Sequence, residues 1–299
     1  MKESVLVTGA SSQLGVFLLP RLQTAGFRVL AVSRKAPLVP LEVAPGVHWS
    51  RPDSPMGAEL MPVRRLVSCG PIDLACETLA GYPDLEQIVA FSTSSVVTKA
   101  GSQNRAECEQ MATIASAEKR VVSLCEGRKI ALLMLRPTMI WGCGLDRNIS
   151  LLARFGRRFG FIPLAGTANG LRQPVHADDL AAVAVNAMSA EPRLRLESVA
   201  CGGSTLSYRS MVKKIAAACG EPVRVVTLPP WLMMALVRAL SPLPAFHGIN
   251  IEMVRRQGQD MAFDDKALRS ALDYQPRPFE PIAADFTVPE YARALQLPA

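Results

Sequence analysis

Ser4-Val5-Leu6-Val7-Thr8-Gly9-Ala10-Ser11-Ser12-Gln13-Leu14-Gly15 is the stretch on which the reading of this chain turns. Ser4 to Thr8 has the apolar run of a short buried strand. It breaks into a turn of small residues, Gly9 to Gly15. Leu14, Phe17, Leu18 and Leu22 then recur at helical spacing, and Gly26 stands where such a helix ends. Arg28 to Ser33 is the next apolar run and reads as a second strand. Strand, turn, helix and strand together occupy about 30 residues, the size of one βαβ unit.

The alternation continues downstream. Arg65 to Cys69, Gln87 to Phe91 and Ile130 to Leu135 read as strands, the last closed by Pro137. Ile72 to Leu79, Ala106 to Leu124 and Ala177 to Met188 read as helices. Strands alternating with helices predict a doubly wound, Rossmann-like α/β fold, a parallel sheet covered on both faces. After about residue 190 the rhythm changes and prolines become frequent. Ser207 to Cys219 and Pro230 to Leu240 look helical. The expected organisation is a dinucleotide-binding domain over residues 1–190. A smaller substrate-side region over residues 191–299 interleaves with it.

Composition narrows the function classes. The chain has 299 residues, 49% of them apolar and 20% charged, an ordinary globular balance. Its net charge of +7 is spread along the sequence in small clusters such as Arg157-Arg158 and Lys213-Lys214. That distribution argues against nucleic acid and suits an anionic small-molecule substrate better. Seven cysteines without CxxC spacing read as reduced, mostly buried thiols of a cytoplasmic protein. The start, MKESVLVTG, has no signal-peptide architecture. Leu228 to Phe246 is apolar but holds Arg238 and four prolines, so no membrane-spanning helix is expected there. Trp231, Leu232, Leu236, Val237 and Leu240 form a stripe at helical spacing. Packing against the substrate-side region is the preferred reading, ahead of a pocket wall, a dimer contact or a membrane-surface contact.

The turn from Thr8 to Gly15 opens a helix, and a helix N-terminus offers free amides and a positive dipole end to a pyrophosphate. Gly9 permits the sharp turn and Gly15 the close packing of helix on strand. Ser12 takes the middle position, often Gly, and adds a small hydroxyl. Thr8, Gly9, Ser11, Ser12, Gln13, Leu14 and Gly15 are therefore the expected cofactor cradle. The second strand ends in Ser33-Arg34-Lys35, where an NAD site usually offers Asp or Glu to the adenosine ribose. A hydroxyl and two cations favour NADP over NAD.

With these residues, several downstream segments resemble the extended or atypical short-chain dehydrogenase/reductase superfamily, including its epimerase/dehydratase group. Val89-Ala90-Phe91-Ser92-Thr93-Ser94-Ser95-Val96 resembles the strand end that carries the family's catalytic Ser. Leu135-Arg136-Pro137-Thr138-Met139-Ile140-Trp141-Gly142 resembles the segment beside the nicotinamide. Gln173-Pro174-Val175-His176-Ala177-Asp178-Asp179-Leu180 resembles the family's turn into a helix, and Phe263-Asp264 through Pro276 its closing segment. The likeness spans nearly the whole chain. It implies that Ser94 orients a substrate hydroxyl or carbonyl and that Ser92, Pro137 and Thr138 lie with the cofactor. It further implies that the main chain of Cys69 and Gly70 passes the cofactor, and that Arg172 meets an anionic substrate. Family members are often homodimers, so the resemblance leaves a homodimer open to this chain.

The same resemblance exposes a departure. The family's Tyr-x-x-x-Lys motif maps onto Gly101-Ser102-Gln103-Asn104-Arg105, with the following Ala106-Glu107-Cys108-Glu109 setting the register. Gly101 replaces the proton donor and Arg105 stands in the Lys position, where it would hold the ribose. Thr98 and Lys99 are the nearby polar residues. Two functions stay open: an oxidoreductase or epimerase/dehydratase acting on a sugar nucleotide or another hydroxyl or carbonyl substrate, and a non-catalytic dinucleotide sensor or accessory subunit. No G-x-S-x-G elbow, no G-x-x-x-x-G-K-[ST] loop and only three histidines argue against a serine hydrolase, a P-loop NTPase and a His-rich metal site. His176 reads as structural, and Asp178 and Asp179 as caps of the helix that follows.

Overall fold

The computed structural model describes residues 3–34, 46–51, 62–99, 102–191, 193–240 and 251–294. In chain order the first half runs β1 (Ser4–Thr8), α1 (Gln13–Thr24), β2 (Arg28–Val32), β3 (Val47–Ser50), β4 (Arg65–Ser68), α2 (Ile72–Gly81), β5 (Gln87–Phe91), α3 (Ser95–Thr98), α4 (Arg105–Gly127) and β6 (Ala131–Pro137). The second half holds β7 (Ile140–Trp141), α5 (Ile149–Phe159), β8 (Phe161–Ala165), β9 (Leu171–Arg172), β10 (Val175–His176), α6 (Ala177–Ser189) and β11 (Leu196–Ala200). It continues with β12 (Leu206–Ser207), α7 (Tyr208–Ala217), β13 (Arg224–Leu228), α8 (Pro230–Leu240), α9 (Ile251–Arg255), α10 (Lys266–Leu272) and α11 (Glu290–Ala294).

Seven strands form one parallel sheet in the order β11-β6-β5-β4-β1-β2-β3. The order reverses at β1, which pairs with β2 on one side and β4 on the other. Such a reversal opens a crevice at the carboxyl ends of the two strands. Side chains alternate across the sheet, as the strand period requires. Val5, Val7, Val89, Phe91, Leu133 and Leu135 face the layer of α1, α6 and α10, whereas Leu6, Ile88, Ala90, Leu132 and Met134 face α2 and α4. The expected doubly wound sheet is what the residues build, because every central strand is apolar on both faces.

A second core lies beside the sheet. Trp141, Ile149, Ile162 and Leu164 pack there with Met211, Val212, Ile215, Phe279 and Phe286. Its frame is the parallel pair β8 and β13 with α5 and α7. Residues from before and after position 190 share this core, while β11 returns to the main sheet beside β6. Strands β3, β8, β11 and β13 were not in the sequence expectation. All four leave part of their length exposed or half-exposed, so no clean apolar run marks them. No helix among the described residues is long and apolar enough to cross a membrane.

Candidate functional site

The carboxyl ends of β1, β2, β4, β5 and β6 converge on the sheet's switch point, and each brings short polar or small residues. At the centre, Gly9 has φ +65°. A Cβ on it would lie 2.5 Å from the Gly70 nitrogen and 2.8 Å from the Cys69 carbonyl carbon. The Cys69 amide donates to the Thr8 carbonyl at 2.9 Å, closing the two strand ends together. A Cβ on Gly15 would lie 1.9 Å from the Ala10 oxygen, so the start of α1 rests directly on the turn. Both glycines are thus required by backbone contact, as the spacing suggests.

Ser12 caps α1. Its side chain accepts from the Gly15 amide at 3.3 Å, and its own amide donates to the Gly9 carbonyl at 2.9 Å. Among the described residues the Gln13 and Leu14 amides meet no acceptor, the usual state of a first helical turn. The Ser12 side chain is turned into the helix end, where it does not close the turn. The Gln13 side chain reaches across to the Gly142 carbonyl at 2.6 Å and ties α1 to the segment after β7. The buried Thr8 hydroxyl donates to Ser68 at 3.2 Å.

At the end of β2, the Ser33 and Ser11 hydroxyls lie 2.6 Å apart, with either able to donate. Ser33 is buried and Arg34 is exposed beside it. Lys35 lies outside the described residues. The end of β5 is held by the Ser92 amide on the Leu135 carbonyl at 2.8 Å and the Ser94 amide on the Pro137 carbonyl at 3.1 Å. The buried Ser92 hydroxyl has no hydrogen-bond partner among the described residues. Ser94 is nearly buried at the N-terminus of α3, and none of the described residues hydrogen-bonds to its hydroxyl. Thr138 is different: its hydroxyl donates to the Gln173 carbonyl and its amide to the Ala200 carbonyl at 3.1 Å. Burial pushes the Cys69 thiol far up, so this residue brings main chain and an inert side chain to the crevice.

Two expected residues sit otherwise. Arg105 opens α4 with its side chain 93% exposed and pairs with Glu109 one turn on at 2.7 Å. It is not gathered with the strand ends, because the first turn of α4 points it to solvent. Arg172 is buried, yet its Nη1 donates to the Leu171 and Gln259 carbonyls at 2.7 Å each and its Nη2 to the Arg256 carbonyl. Its Nε is buried without a partner among the described residues, and the guanidinium lies 5.2 Å from the Tyr208 ring centre. Burial lowers its pKa. Arg172 therefore braces the 256–259 turn, with one donor left over. Gly101 lies outside the described residues.

Sequence reading missed the neighbour of that turn. Arg256 grips Glu107 with two hydrogen bonds of 2.7 and 2.9 Å, and the Ser102 hydroxyl adds a third at 2.8 Å. The Arg256 bonds above all hold Glu107 down at about 2. Lys99, one residue past α3, approaches Glu107 to 3.8 Å, and its own burial lowers its pKa. The pair joins the start of α4 to the region after α9 across 149 positions, so no local pattern announces it.

His176 is structural, as expected. Its Nδ1 accepts the Asp178 amide at 3.0 Å as N-cap of α6, and its ring packs edge-on against Trp141 at 4.6 Å. A Cβ on Gly142 would strike that ring at 2.5 Å. Capping by Asp178 and Asp179 is corrected here: both lie in the first turn, where Asp178 pairs with Arg21 and Arg277, and Asp179 with Arg277. The histidine already satisfies the cap, so the carboxylates complement the helix dipole from inside. None of the four tyrosines stands with the strand ends as a free phenol. Tyr274 donates to Cys201 at 2.8 Å, Tyr291 to Val16 at 3.1 Å, Tyr208 stacks on Arg172, and Tyr82 caps α2.

No family model matches the chain. The UDP-glucose 4-epimerase of Vibrio cholerae is 24% identical over 115 residues, 38% of this chain and 35% of that protein. The chain thus matches about a third of the length of that curated relative. A UDP-glucuronic acid 4-epimerase from Bacillus cereus in complex with NAD superposes with a TM-score of 0.69 at 15% identity, covering 98% of this chain and 99% of that one. A UDP-N-acetylglucosamine 4-epimerase from the same organism gives 0.67 at 13% identity, with 95% of each chain covered. A dTDP-glucose 4,6-dehydratase from Bacillus anthracis in complex with NAD gives 0.64 at 13% identity, covering 98% and 96%. The resemblance to extended short-chain dehydrogenases/reductases read from the sequence is borne out in the fold, which this chain shares over nearly its whole length with these epimerases and this dehydratase.

Proposed function

We propose that the chain is a nicotinamide-dinucleotide-dependent oxidoreductase or epimerase/dehydratase that acts on a sugar nucleotide or a related hydroxyl or carbonyl substrate. The observation that carries this is the backbone contact of Gly9 with Gly70 at the switch point, beneath the open Gln13 and Leu14 amides. That cradle fits a pyrophosphate, since the close Gly9–Gly70 contact leaves the unengaged Gln13 and Leu14 amides at the positive end of the α1 dipole. The orphaned Ser92 hydroxyl, buried at the same edge, fits the same ligand. A bound nicotinamide would supply a hydride acceptor and donor. Thr8 through Gly15, Cys69, Gly70, Ser92, Pro137 and Thr138 would hold the dinucleotide. Ser94, whose hydroxyl is unengaged among the described residues, would orient the substrate oxygen. Arg172 keeps one buried donor for an anionic substrate group.

NADP is the cofactor form this reading favours. Two of the solved structures of the same fold hold NAD, but here the β2 end offers Ser33 and Arg34 and no carboxylate. A ribose 2′-phosphate gains a guanidinium and a hydroxyl there, whereas a 2′-hydroxyl loses its usual acceptor. Calorimetric titration of protein stripped of retained nucleotide, with NADPH and with NADH, tests both levels. Tighter NADPH binding is expected. Tighter NADH binding would reassign the cofactor form only, and binding of neither would overturn the proposal.

A non-catalytic dinucleotide-binding role is the second reading. It is favoured by two observations: no tyrosine stands between Tyr82 and Tyr208, and Arg105 faces solvent. Dinucleotide binding without any turnover across a panel of sugar nucleotides and ketones would select it.

A further inference from the structure

One face of the second core is built differently from the rest of the surface. Phe155, Phe159 and Phe161 form an aromatic cluster, with ring centres 4.6 Å apart for Phe155–Phe159 and 5.8 Å for Phe155–Phe161. Phe159 and Phe161 are 46% and 38% exposed. On the parallel pair, Phe161 faces Arg224 and Pro163 faces Val226, so these side chains share the outer side of β8 and β13. Ile162 and Leu164 occupy the inner side, in the core. Helix α8 crosses the far end of the same outer side. Val237 meets Ala165 and Val254 there, with Met233 and Met234 packed alongside. Trp231 and Leu236 point away from that contact and are 68% and 41% exposed. The α8 stripe is therefore divided: part of it is core, as the sequence reading preferred, and part is open.

The segments that build this face are rich in arginine. Residues 147–177, which carry α5 and β8, contain five arginines and no carboxylate. Residues 222–251, which carry β13 and α8, contain Arg224 and Arg238 and again no carboxylate. Arg158 and Arg224 are exposed and pair with no carboxylate among the described residues, and Arg158 lies 5.6 Å over the Phe159 ring.

We propose that the surface formed by α5, β8, β13 and α8 docks on an anionic lipid bilayer. Phe159, Phe161, Trp231 and Leu236 enter the headgroup boundary, and Arg158 and Arg224 meet the lipid phosphates. Aromatic and leucine side chains framed by arginines are the composition that settles at a membrane interface without spanning it. A second copy of this chain fits less well: a two-fold contact through this face would set the Arg158 and Arg224 cluster against itself. The docking is independent of the dinucleotide reading, since none of these residues belongs to the cradle.

The test is co-sedimentation of the full chain with vesicles of phosphatidylglycerol and phosphatidylcholine, against phosphatidylcholine alone, in 0.1 M NaCl. The expected result is binding to the anionic vesicles only, released by high salt, with a blue shift of tryptophan emission that Trp231→Phe removes. Trp141 is buried and Trp49 lies on β3, outside this face, so neither reports it. Arg158→Glu with Arg224→Glu is expected to weaken binding about thirtyfold or more, from about 1 kcal/mol for each cation near such a surface. Arg158→Gln with Arg224→Gln serves as the second variant if charge reversal lowers the Tm. Failure to bind anionic vesicles, or equal binding by the charge variants, overturns the proposal. So does a dimer by light scattering that the same variants dissolve, or binding of single-stranded RNA that displaces the vesicles.

Discussion

The Cβ that Gly9 lacks would lie 2.5 Å from the Gly70 nitrogen, so the turn after β1 and the end of β4 meet backbone to backbone. Gly9 also holds φ +65°, where other residues pay a steric cost. Both strain and clash then act on a Gly9→Ala variant. It should lose dinucleotide binding and about 2 kcal/mol or more of stability. Gly127→Ala is the control, because nothing lies within 4 Å of its missing Cβ and its φ is ordinary. That variant should be neutral or slightly stabilised. Calorimetry and thermal unfolding of the two proteins check the contrast.

The exposed Arg34 next to the half-buried Ser11–Ser33 hydroxyl pair suggests a second test. Arg34→Glu should weaken NADPH binding by about tenfold or more, since one charge-assisted contact is replaced by repulsion. NADH binding should hold or improve. Equal losses for both nucleotides would place Arg34 outside the ribose site.

Ser94 offers a hydroxyl with no described partner at the edge where Ser92 and Ser94 hang from the Leu135 and Pro137 carbonyls. If it orients the substrate oxygen, Ser94→Ala should cost about a hundredfold in kcat. Dinucleotide affinity should stay as it was. A loss of nucleotide affinity with unchanged kcat would instead make Ser94 part of the cofactor wall.

Much of this arrangement was legible from residue order, and the reason is periodicity. Val5, Val7 and Leu6 alternate faces, Leu14, Leu18 and Leu22 keep one helical face, and Gly9 and Gly15 punctuate between them. β8 and β13 were illegible because Pro163 interrupts one and Arg224, Val226 and Thr227 leave the other open to solvent. Arg105 was misplaced for a related reason. A motif register assigns a position, but the helix phase decides where a side chain points, and α4 begins with Arg105 facing outward. The Glu107–Arg256 pair was invisible because two residues 149 apart share no pattern.

Thiol chemistry gives a count that follows from burial. Cys69, Cys76, Cys125, Cys143, Cys201 and Cys219 are buried, and Cys108 is only partly covered. Burial pushes the Cys143 and Cys201 thiols up to about 12 and that of Cys125 to about 11. A thiol-specific reagent at pH 8 should therefore label Cys108 first in the native protein, and all seven after unfolding. Early labelling of Cys69, read by peptide mapping, would mean that the crevice opens in solution.

Glu107 carries the pH dependence. Its side chain is 13% exposed and that of Arg256 10%, so neither is left to solvent if the other is removed. Its pKa falls from 4.5 to about 2 on folding, mainly through the Arg256 hydrogen bonds. A depressed folded pKa means that the stabilisation is whole above 4.5 and disappears as the pH falls towards 2. Glu107→Gln should cost on the order of 2 kcal/mol at pH 7, because Arg256 is left without its charge partner. The gap between wild type and variant should narrow steadily below pH 4.5 and close near pH 2, as urea melts at successive pH values would record. A gap that stayed constant would locate the variant's defect in lost packing and hydrogen bonds rather than in the ion pair.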